Sequence, residues 1–310
     1  MTASTRPATA LVQARHPLPA EQHAIEKAGL DRVRQLFATF KGPLREAYDA
    51  MSALTPIAAG VSFQPVDADG VRGLWVRPQG ARADHVILYV HGGAYGLGSA
   101  HAYRGLVSQI AARAGVAIFS LDYPLAPEQP FPAAYDATTA ARRWLGTQGV
   151  AQIALMGDSC GAGLVLASLA APVAGSPVVT SVVGFSPWTD LALTGASATD
   201  PATRDLVFQL PMLQNAAKAY LGTHDARDPR ASPFHGLPAT LPPLLVQVGT
   251  DELLLDDARR YAAAAAARGG EVRLDVFEDL HHVFQRAVAE LPAAARAVDD
   301  AVAFVAAHWQ

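Results

Sequence analysis

Short apolar runs alternate with longer amphipathic stretches along most of this chain. The runs have strand length and are bounded by turn residues, which is typical of strands that are buried on both faces of a sheet. The predicted strands after residue 80 are 86–90, 116–121, 152–156, 179–185, 244–248 and 272–277. The predicted helices between and after them are 101–113, 133–145, 159–169, an alanine-rich stretch up to residue 268, and a last helix that ends near residue 307. This alternation predicts an α/β fold, a mostly parallel central sheet with helices on both faces.

The first part of the chain follows a different pattern. Residues 19–40 are predicted to form a helix, because apolar positions and one glycine recur there at three- and four-residue spacing: Ile25, Gly29, Val33, Leu36, Phe37 and Phe40. Residues 61–66 and 71–76 are predicted strands. The turn residues between them, 67–70, have the composition of a hairpin connection.

The interval from Leu191 to Pro238 also breaks the alternation. Its clearest helical stretch is 211–221, which Pro211 is placed to begin. A long excursion inside a regular sheet usually forms a lid or cap over a site. We therefore expect a single catalytic domain in four parts: 1–45 as a helical part of the cap, 46–190 as core, 191–238 as the cap insertion and 239–310 as core.

The amino-acid composition limits the possible binding partners and the cellular location of the protein. The chain has 310 residues, 51% of them hydrophobic and 17% charged, with a formal net charge of -4 and no basic cluster. This balance argues against nucleic acid or an anionic membrane surface as the main partner. Cys160 is the single cysteine, residues 1–22 show no signal-peptide pattern, and no apolar run is long enough to cross a bilayer. We expect a cytoplasmic protein without stable membrane association.

The sharpest chemical signal is the pentapeptide Gly157-Asp158-Ser159-Cys160-Gly161. It follows a predicted strand and begins a predicted helix. Such a turn is tight and lifts its central side chain off the sheet edge, so Ser159 is a candidate nucleophile. The pattern also occurs by chance as an ordinary glycine-rich turn. We interpret Cys160 as a small buried residue that contributes its N–H, rather than as a thiol nucleophile.

A second signal follows the predicted strand 86–90. The run His91-Gly92-Gly93-Ala94-Tyr95 has two glycines whose backbone N–H groups could point at a ligand. Together with the N–H of Cys160, Gly92 and Gly93 are predicted to form an oxyanion hole. The alternative is a plain turn with a glycine pair.

A serine nucleophile needs a base, and the base needs an acid that orients it. Along the chain, the acid and then the base are expected after the serine. We expect the acid to be Asp251, just after strand 244–248, and the base to be His282, just after strand 272–277. Competing residues are adjacent: Glu252, Asp256 or Asp257 for the acid, and His281 for the base. Asp256 and Asp257 lie inside a predicted helix and are interpreted as solvated surface. No histidines show metal-ligand spacing, so we expect neither metal nor cofactor.

Taken together, these motifs resemble the hormone-sensitive-lipase family of α/β-hydrolase-fold enzymes, the bacterial family IV esterases. The resemblance covers about residue 61 to the C-terminus and rests on His91–Ala94, Asp122–Glu128 with Pro130-Phe131-Pro132, Gly157–Gly161, Ser186–Leu191, Asp228-Pro229 with Ser232-Pro233, Gly249–Glu252 and His282–Phe284. It implies the α/β-hydrolase fold with a helical cap, the triad of Ser159, Asp251 and His282, and the oxyanion hole described above.

The chain departs from the family pattern at three positions. The third glycine of the family's His-Gly-Gly-Gly is Ala94, the family's arginine after Tyr123 is Pro124, and the usual alanine after the nucleophile is Cys160. The resemblance further implies a rigid turn in which Glu128 bonds to backbone. Family members often form homodimers, which makes a homodimer an expectation for this chain.

These observations predict a serine carboxylesterase that acts on short- to medium-chain or compact esters, including aryl esters, acetyl esters and lactones. The predicted pocket residues flank the motifs or lie in the predicted cap: Tyr95, Leu97, Trp188, Phe208, Leu210, Leu253 and Val283. Two alternatives remain at this stage. One is an amidase or peptidase with the same machinery, and the other is a non-catalytic protein that binds a ligand in the capped pocket.

Overall fold

A computed structural model describes residues 11–309 of the chain, apart from the side chains at positions 83 and 84. The interpretation of residues 1–22 as lacking a signal peptide therefore lies partly outside the described residues. So does the beginning of the predicted segment 1–45.

The described residues form one sheet of nine strands, in the order β1-β9-β8-β7-β6-β4-β5-β3-β2 across the sheet. The strands are β1 Val12–His16, β2 Val61–Ala68, β3 Val71–Pro78, β4 Arg82–Val90, β5 Val116–Leu121, β6 Gln152–Asp158, β7 Val178–Phe185, β8 Leu244–Asp251 and β9 Val272–His281. Strands β2 and β3 pair antiparallel as a hairpin and β3 pairs antiparallel with β5, while the other neighbours are parallel. The predicted parallel sheet and hairpin are confirmed.

Helices α3 to α8 connect the parallel strands, α1 and α2 lie between β1 and β2, and α9 follows β9. The helices are α1 His23–Thr39, α2 Leu44–Ser52, α3 Arg104–Ala114, α4 Ala133–Thr147, α5 Ser159–Ala167, α6 Ala196–Thr199, α7 Leu210–Leu221, α8 Leu255–Ala267 and α9 Pro292–Ala307. Every helix expected from the apolar periodicity is present, with ends that shift by a few residues. Three elements were not predicted: the helix α2, the short helix α6, and the edge strand β1, which has exposed Val12 and pairs with β9. No helix in the range 11–309 is long and apolar enough to cross a membrane.

The central strands are buried on both faces, which explains their continuous apolar sequence. Leu88 and Phe119 pack into one hydrophobic cluster, whereas Ile87 and Ile118, their neighbours along β4 and β5, pack into a second cluster on the other side of the sheet. Successive side chains of a strand point to opposite faces, so an alternating polar pattern would place polar groups in one of these clusters. The sheet is therefore a rigid support for the loops at its carboxyl edge.

Helix α1 is less buried than its apolar pattern suggests. Its buried residues are Glu26 and Leu30, while Ile25 and Phe37 of the predicted apolar face keep 37% and 38% of their surface exposed. The helix thus faces an open space, described below, as well as the protein interior. The interval 191–238 contains the short α6 and the predicted helix α7.

Candidate active site

Ser159 lies at the abrupt turn between β6 and α5. Its φ of +53° is in the left-handed region, which non-glycine residues rarely adopt. The turn is possible because its neighbours are small: a Cβ at Gly161 would come within 2.1 Å of the carbonyl oxygen of Val90. The predicted strand–turn–helix geometry is therefore present. Since α5 begins at Ser159, the N–H of Cys160 belongs to the first helical turn, where N–H groups lack intrahelical acceptors.

The loop after β4 passes close to Ser159. A Cβ at Gly92 would lie 3.1 Å from the Cβ of Ser159 and 2.4 Å from Oδ2 of Asp158. The Gly92 N–H, however, donates to Oδ1 of Asp158 at 2.9 Å. The prediction that Gly92 supplies an oxyanion donor is therefore wrong, because that N–H is already bound to a carboxylate. Gly93, with φ of +115°, and Cys160 are the two predicted donors that remain.

Asp158 anchors this loop within a buried polar cluster. Its carboxylate accepts the hydroxyls of Tyr89 at 2.9 Å and Tyr103 at 3.0 Å and an N–H of Arg286 at 3.2 Å. Burial raises the pKa of both tyrosines well above the ordinary value, so they act as hydroxyl donors. Arg286 also donates to the hydroxyl of Tyr48 in α2 at 2.6 Å. The cluster thus ties the Gly92 loop to α2 and to the segment that follows His282.

His282 is buried and paired with Glu252. Its Nδ1 lies 2.7 Å from Oε2 of Glu252, and Oε1 of that carboxylate accepts the Ser186 hydroxyl at 2.8 Å and the Gly249 N–H at 2.7 Å. Glu252 is fully buried, so a carboxylate there needs these donors. With Nδ1 donating to Glu252, Nε2 of the neutral imidazole carries a lone pair that can accept a proton.

The structure does not place Asp251, the predicted acid, against His282. Asp251 is the last residue of β8 and pairs in register with His281, while its Oδ2 lies 3.5 Å from Nε of Arg204. The strand thus continues through Asp251, and the carboxylate that meets His282 belongs to the next residue. Glu252 was a named competitor, but strand position alone does not determine which of two adjacent carboxylates turns inward.

Two further expectations about competing residues are settled by contacts. Asp257 is buried, not solvated: its Oδ2 accepts the N–H groups of Thr189 at 2.7 Å and Asp190 at 2.8 Å, and burial raises its pKa to about 7. Its neighbour Asp256 is half-buried and accepts the Ser197 N–H at 2.9 Å. These carboxylates cap backbone N–H groups of residues 189–197.

The other competing residues are also accounted for. His281, the alternative base, pairs with Glu26 of α1. Cys160 is fully buried, and burial raises the pKa of its thiol to about 12. A thiol of that pKa remains protonated near neutral pH, which agrees with its interpretation as a small packing residue.

The turn that contains Glu128 has one contact beyond its sequence-based interpretation. Besides a hydrogen bond to its own backbone, the Glu128 carboxylate forms a bidentate ion pair with Arg45 of α2, at 2.9 and 2.6 Å. Arg45 itself donates to the carbonyl oxygens of Gly96 and Ala126, both at 2.8 Å. An arginine from the N-terminal segment thus reaches the turn in which Pro124 replaces the family's arginine.

The predicted pocket residues fall into three groups. Tyr95, Trp188 and Val283 are fully buried, and Tyr95 stacks on the ring of Tyr220 with centroids 3.7 Å apart, as core residues do. Phe208, in contrast, contacts the imidazole of His282 edge-on, with centroids 4.9 Å apart. The remaining three predicted residues are buried or half-buried: Leu97, Leu210 and Leu253.

A cavity of about 90 Å³ opens beside His282. Its walls come mainly from α1, from the segment after α2 and from the segment after His282, rather than from the predicted pocket residues. They include Ile25, Gly29, Leu30, Val33, Met51, Leu54, Thr55, Val207, Arg286, Ala287 and Leu291. The apolar stripe of α1 was visible in the sequence, but its position beside the histidine was not.

Comparison with known proteins agrees with this geometry. Residues 87–286 match a protein family described as having the alpha/beta hydrolase fold. An acetyl-hydrolase of Streptomyces hygroscopicus is 43% identical over 74% of this chain and 78% of its own length. An esterase of Acinetobacter venetianus is 36% identical over 84% of this chain and 87% of its own length.

Solved structures give the same result. The crystal structure of an esterase from the bacterial hormone-sensitive lipase family superimposes with a TM-score of 0.85 at 38% identity. The match covers 92% of this chain and 98% of the other. The chain therefore belongs to the hormone-sensitive-lipase family of the α/β-hydrolase fold and is a carboxylic ester hydrolase.

Proposed function

We propose that the chain hydrolyses short acyl esters through an acyl-enzyme on Ser159, with His282 as base and Glu252 as the acid that orients it. The observation that carries this proposal is the buried His282–Glu252 pair, with Nδ1 and Oε2 2.7 Å apart, at the same carboxyl edge of the parallel strands as the strained turn at Ser159. A short acyl group is favoured because a relative is named an acetyl-hydrolase.

The chemistry follows from the protonation states of these groups. His282 Nε2 takes the proton of Ser159 as its oxygen attacks the ester carbonyl, and the Glu252 carboxylate stabilises the imidazolium. The imidazolium then protonates the leaving alkoxide as the carbon–oxygen bond breaks. Water repeats the two steps on the acyl-enzyme and releases the carboxylic acid.

The oxyanion is assigned to the backbone N–H groups of Gly93 and Cys160. Cys160 offers an N–H at the N-terminus of α5, where the helix dipole also favours negative charge. The loop after β4, which contains both Gly92 and Gly93, lies against Ser159, as the close approach of Gly92 indicates. Loss of one such donor costs about 10²–10³ in turnover in other hydrolases.

Residues 1–45 and 191–238 are proposed to form the cap. In its described part, the first segment contacts the site through Glu26, which pairs with His281. The second contacts it through Phe208, which packs on His282, and Arg204, which pairs with Asp251. Both segments thus contact the histidine pair His281-His282, so movement of either segment would open or close the approach to His282.

The cellular location and the assembly remain proposals. A cytoplasmic location rests on the sequence argument alone. A homodimer rests on the family resemblance, and the sheet offers two edge strands, β1 and β2, for pairing with a second copy. Analytical ultracentrifugation at micromolar concentration distinguishes monomer from dimer.

Hydrolysis of p-nitrophenyl esters with acyl groups of two to twelve carbons tests the proposal. Turnover should be highest for the short acyl groups and should be abolished in Ser159→Ala. The matched p-nitroanilides should react much more slowly, which separates an esterase from an amidase. Ester hydrolysis that survives in a folded Ser159→Ala variant would contradict the assignment of the nucleophile.

A further inference from the structure

Gly29 occupies a position where a helix ordinarily carries a side chain. It lies in the middle of α1, and its backbone has ordinary helical geometry, so no unusual φ requires a glycine. Glycine is among the least favourable residues in a helix interior. Its presence there needs a reason other than local conformation.

The space around Gly29 supplies a candidate reason. Ile25, Gly29 and Val33 are four residues apart, so they form one stripe on α1, and all three line the cavity beside His282. A Cβ built on Gly29 would meet no atom within 4 Å. The glycine therefore does not avoid a clash with the protein. The absent side chain leaves volume in the cavity instead.

The chemistry of the cavity indicates what the volume accepts. The wall opposite α1 includes Leu54 and Leu291. The charged side chains at the cavity have partners: Arg32 pairs with Glu290, Arg286 pairs with Asp158, and Glu26 is hydrogen-bonded to His281. An uncharged apolar group suits these walls better than an ionic one.

The size of the cavity limits that group. Its volume of about 90 Å³ is roughly three-fifths of that of an engineered apolar cavity of ~150 Å³ that binds the six carbons of benzene. This is room for about three or four carbon-sized groups. A longer chain would extend into solvent or displace α1.

The position of His282 indicates which half of the ester enters. His282 lines the cavity, and in the proposed reaction its imidazole delivers a proton to the leaving alkoxide. The proposed oxyanion donors belong to the Gly93 loop and the start of α5, and neither lines the cavity among the described residues. The leaving alcohol is therefore the part of the substrate that points toward α1.

We propose that Gly29 is a specificity-determining residue, whose missing side chain makes room for an unbranched, apolar alcohol group of about three or four carbons. This inference rests on the proposed function, because it uses His282 as the proton donor to the alcohol. It assigns a substrate preference to one position of α1 and does not involve the acyl group.

The test compares two ester series by pH-stat hydrolysis. One series is methyl to hexyl acetate, in which the alcohol varies, and the other is methyl acetate to methyl hexanoate, in which the acyl group varies. In the wild type, kcat/KM should rise about 4-fold per methylene up to propyl or butyl acetate and then level off. Gly29→Val should lower the ratio for butyl over methyl acetate by at least about 10-fold and leave the acyl profile unchanged.

Two variants serve as controls. Gly29→Ala should shorten the preferred alcohol by about one carbon and raise Tm by about 1–3 °C, because alanine favours the helix. Ala28→Val places the same isopropyl side chain at the exposed neighbouring position of α1 and should keep the wild-type alcohol profile. Tm values at or above that of the wild type show that the Gly29 variants are folded.

The possible results are distinguishable. An unchanged alcohol profile in folded Gly29→Val, or a change confined to the acyl profile, would overturn the assignment of Gly29 while leaving the esterase mechanism intact. A wild type that hydrolyses neither series, or a Ser159→Ala variant as active as the wild type, would instead refute the proposed function, and the inference would fall with it.

Discussion

The two adjacent carboxylates at the end of β8 allow a direct test of the acid assignment. Glu252→Gln and Asp251→Asn each replace a carboxylate by its isosteric amide. Glu252 is fully buried and bonds to His282, Ser186 and Gly249, whereas Asp251 pairs with an arginine whose side chain is 68% exposed. The same chemical change is therefore made once inside the proposed triad and once beside it.

The expected loss at Glu252 follows from its contact with the imidazole. An amide NH₂ at the position of Oε2 would face Nδ1 of His282 and favour the tautomer with the proton on Nε2. That tautomer cannot accept the proton of Ser159, and the imidazolium also loses its anionic partner. The equivalent change in other triad hydrolases lowers kcat by about 10⁴. We expect a loss of about 10³–10⁴-fold for this enzyme, or about 4–5.5 kcal/mol in activation free energy.

Asp251→Asn should change kcat by less than about 3-fold, because a pair with an exposed arginine contributes little. Steady-state hydrolysis of p-nitrophenyl acetate gives kcat for both variants, and circular dichroism melting shows that each is folded. Equal losses in the two variants, or a larger loss in Asp251→Asn, would refute the reasoning from the structure.

Three further predictions concern groups around the site. Arg286→Met leaves the buried carboxylate of Asp158 without its cation, so urea unfolding should show that the free energy of unfolding falls by up to about 3 kcal/mol. The expected loss is smaller than for a fully buried pair, because the Arg286 side chain is 20% exposed. A loss below about 0.5 kcal/mol would contradict this prediction. In the folded protein the pKa of Asp257 is raised to about 7, against an ordinary value of 3.8. The folded state therefore binds the proton more tightly than the unfolded chain does. The contribution of this group to stability is complete below pH 3.8 and is lost as pH rises through 7. The free energy of unfolding should fall between pH 5 and pH 8 by up to about 3 kcal/mol more in the wild type than in Asp257→Asn, and parallel pH profiles would disprove it. Burial and the raised pKa of Cys160 should prevent alkylation of the native thiol by iodoacetamide at pH 8. The urea-unfolded chain should react fully. Rapid labelling of the native protein would contradict this prediction, because it would show that the thiol is accessible.

Much of the fold was predictable because its central strands are buried on both faces. Such strands need unbroken apolar runs, and the runs at 86–90 and 116–121 indicated β4 and β5 directly. The edge strand β1 lacks this signal, since one side of its ladder is unpaired and Val12 is exposed. Helix α2 has only nine residues, so few apolar positions recur along it, although Tyr48 and Met51 pack against the core. Apolar periodicity is a weak signal for an edge strand and for so short a helix.

The site was predictable only where a motif determines the backbone. Small residues around Ser159 dictate the strained turn, and a histidine just beyond β9 must lie at the carboxyl edge of the sheet. The choice between Asp251 and Glu252 depends on how the chain leaves β8, and the engagement of Gly92 depends on the buried carboxylate of Asp158. Both are tertiary contacts between segments far apart in sequence. The same holds for the cavity at Gly29, which forms only where α1 meets the segment after His282.

The most direct test of the account is whether Ser159 carries the acyl group. Rapid quenching of the reaction with p-nitrophenyl acetate, followed by peptide mass spectrometry, locates any covalent acetyl group. The account predicts one acetyl group, on Ser159, in the wild type, and none there in His282→Ala within the same reaction time. Turnover without any acetylated Ser159 peptide, or an acetyl group that accumulates on another residue with the kinetics of turnover, would contradict the mechanism.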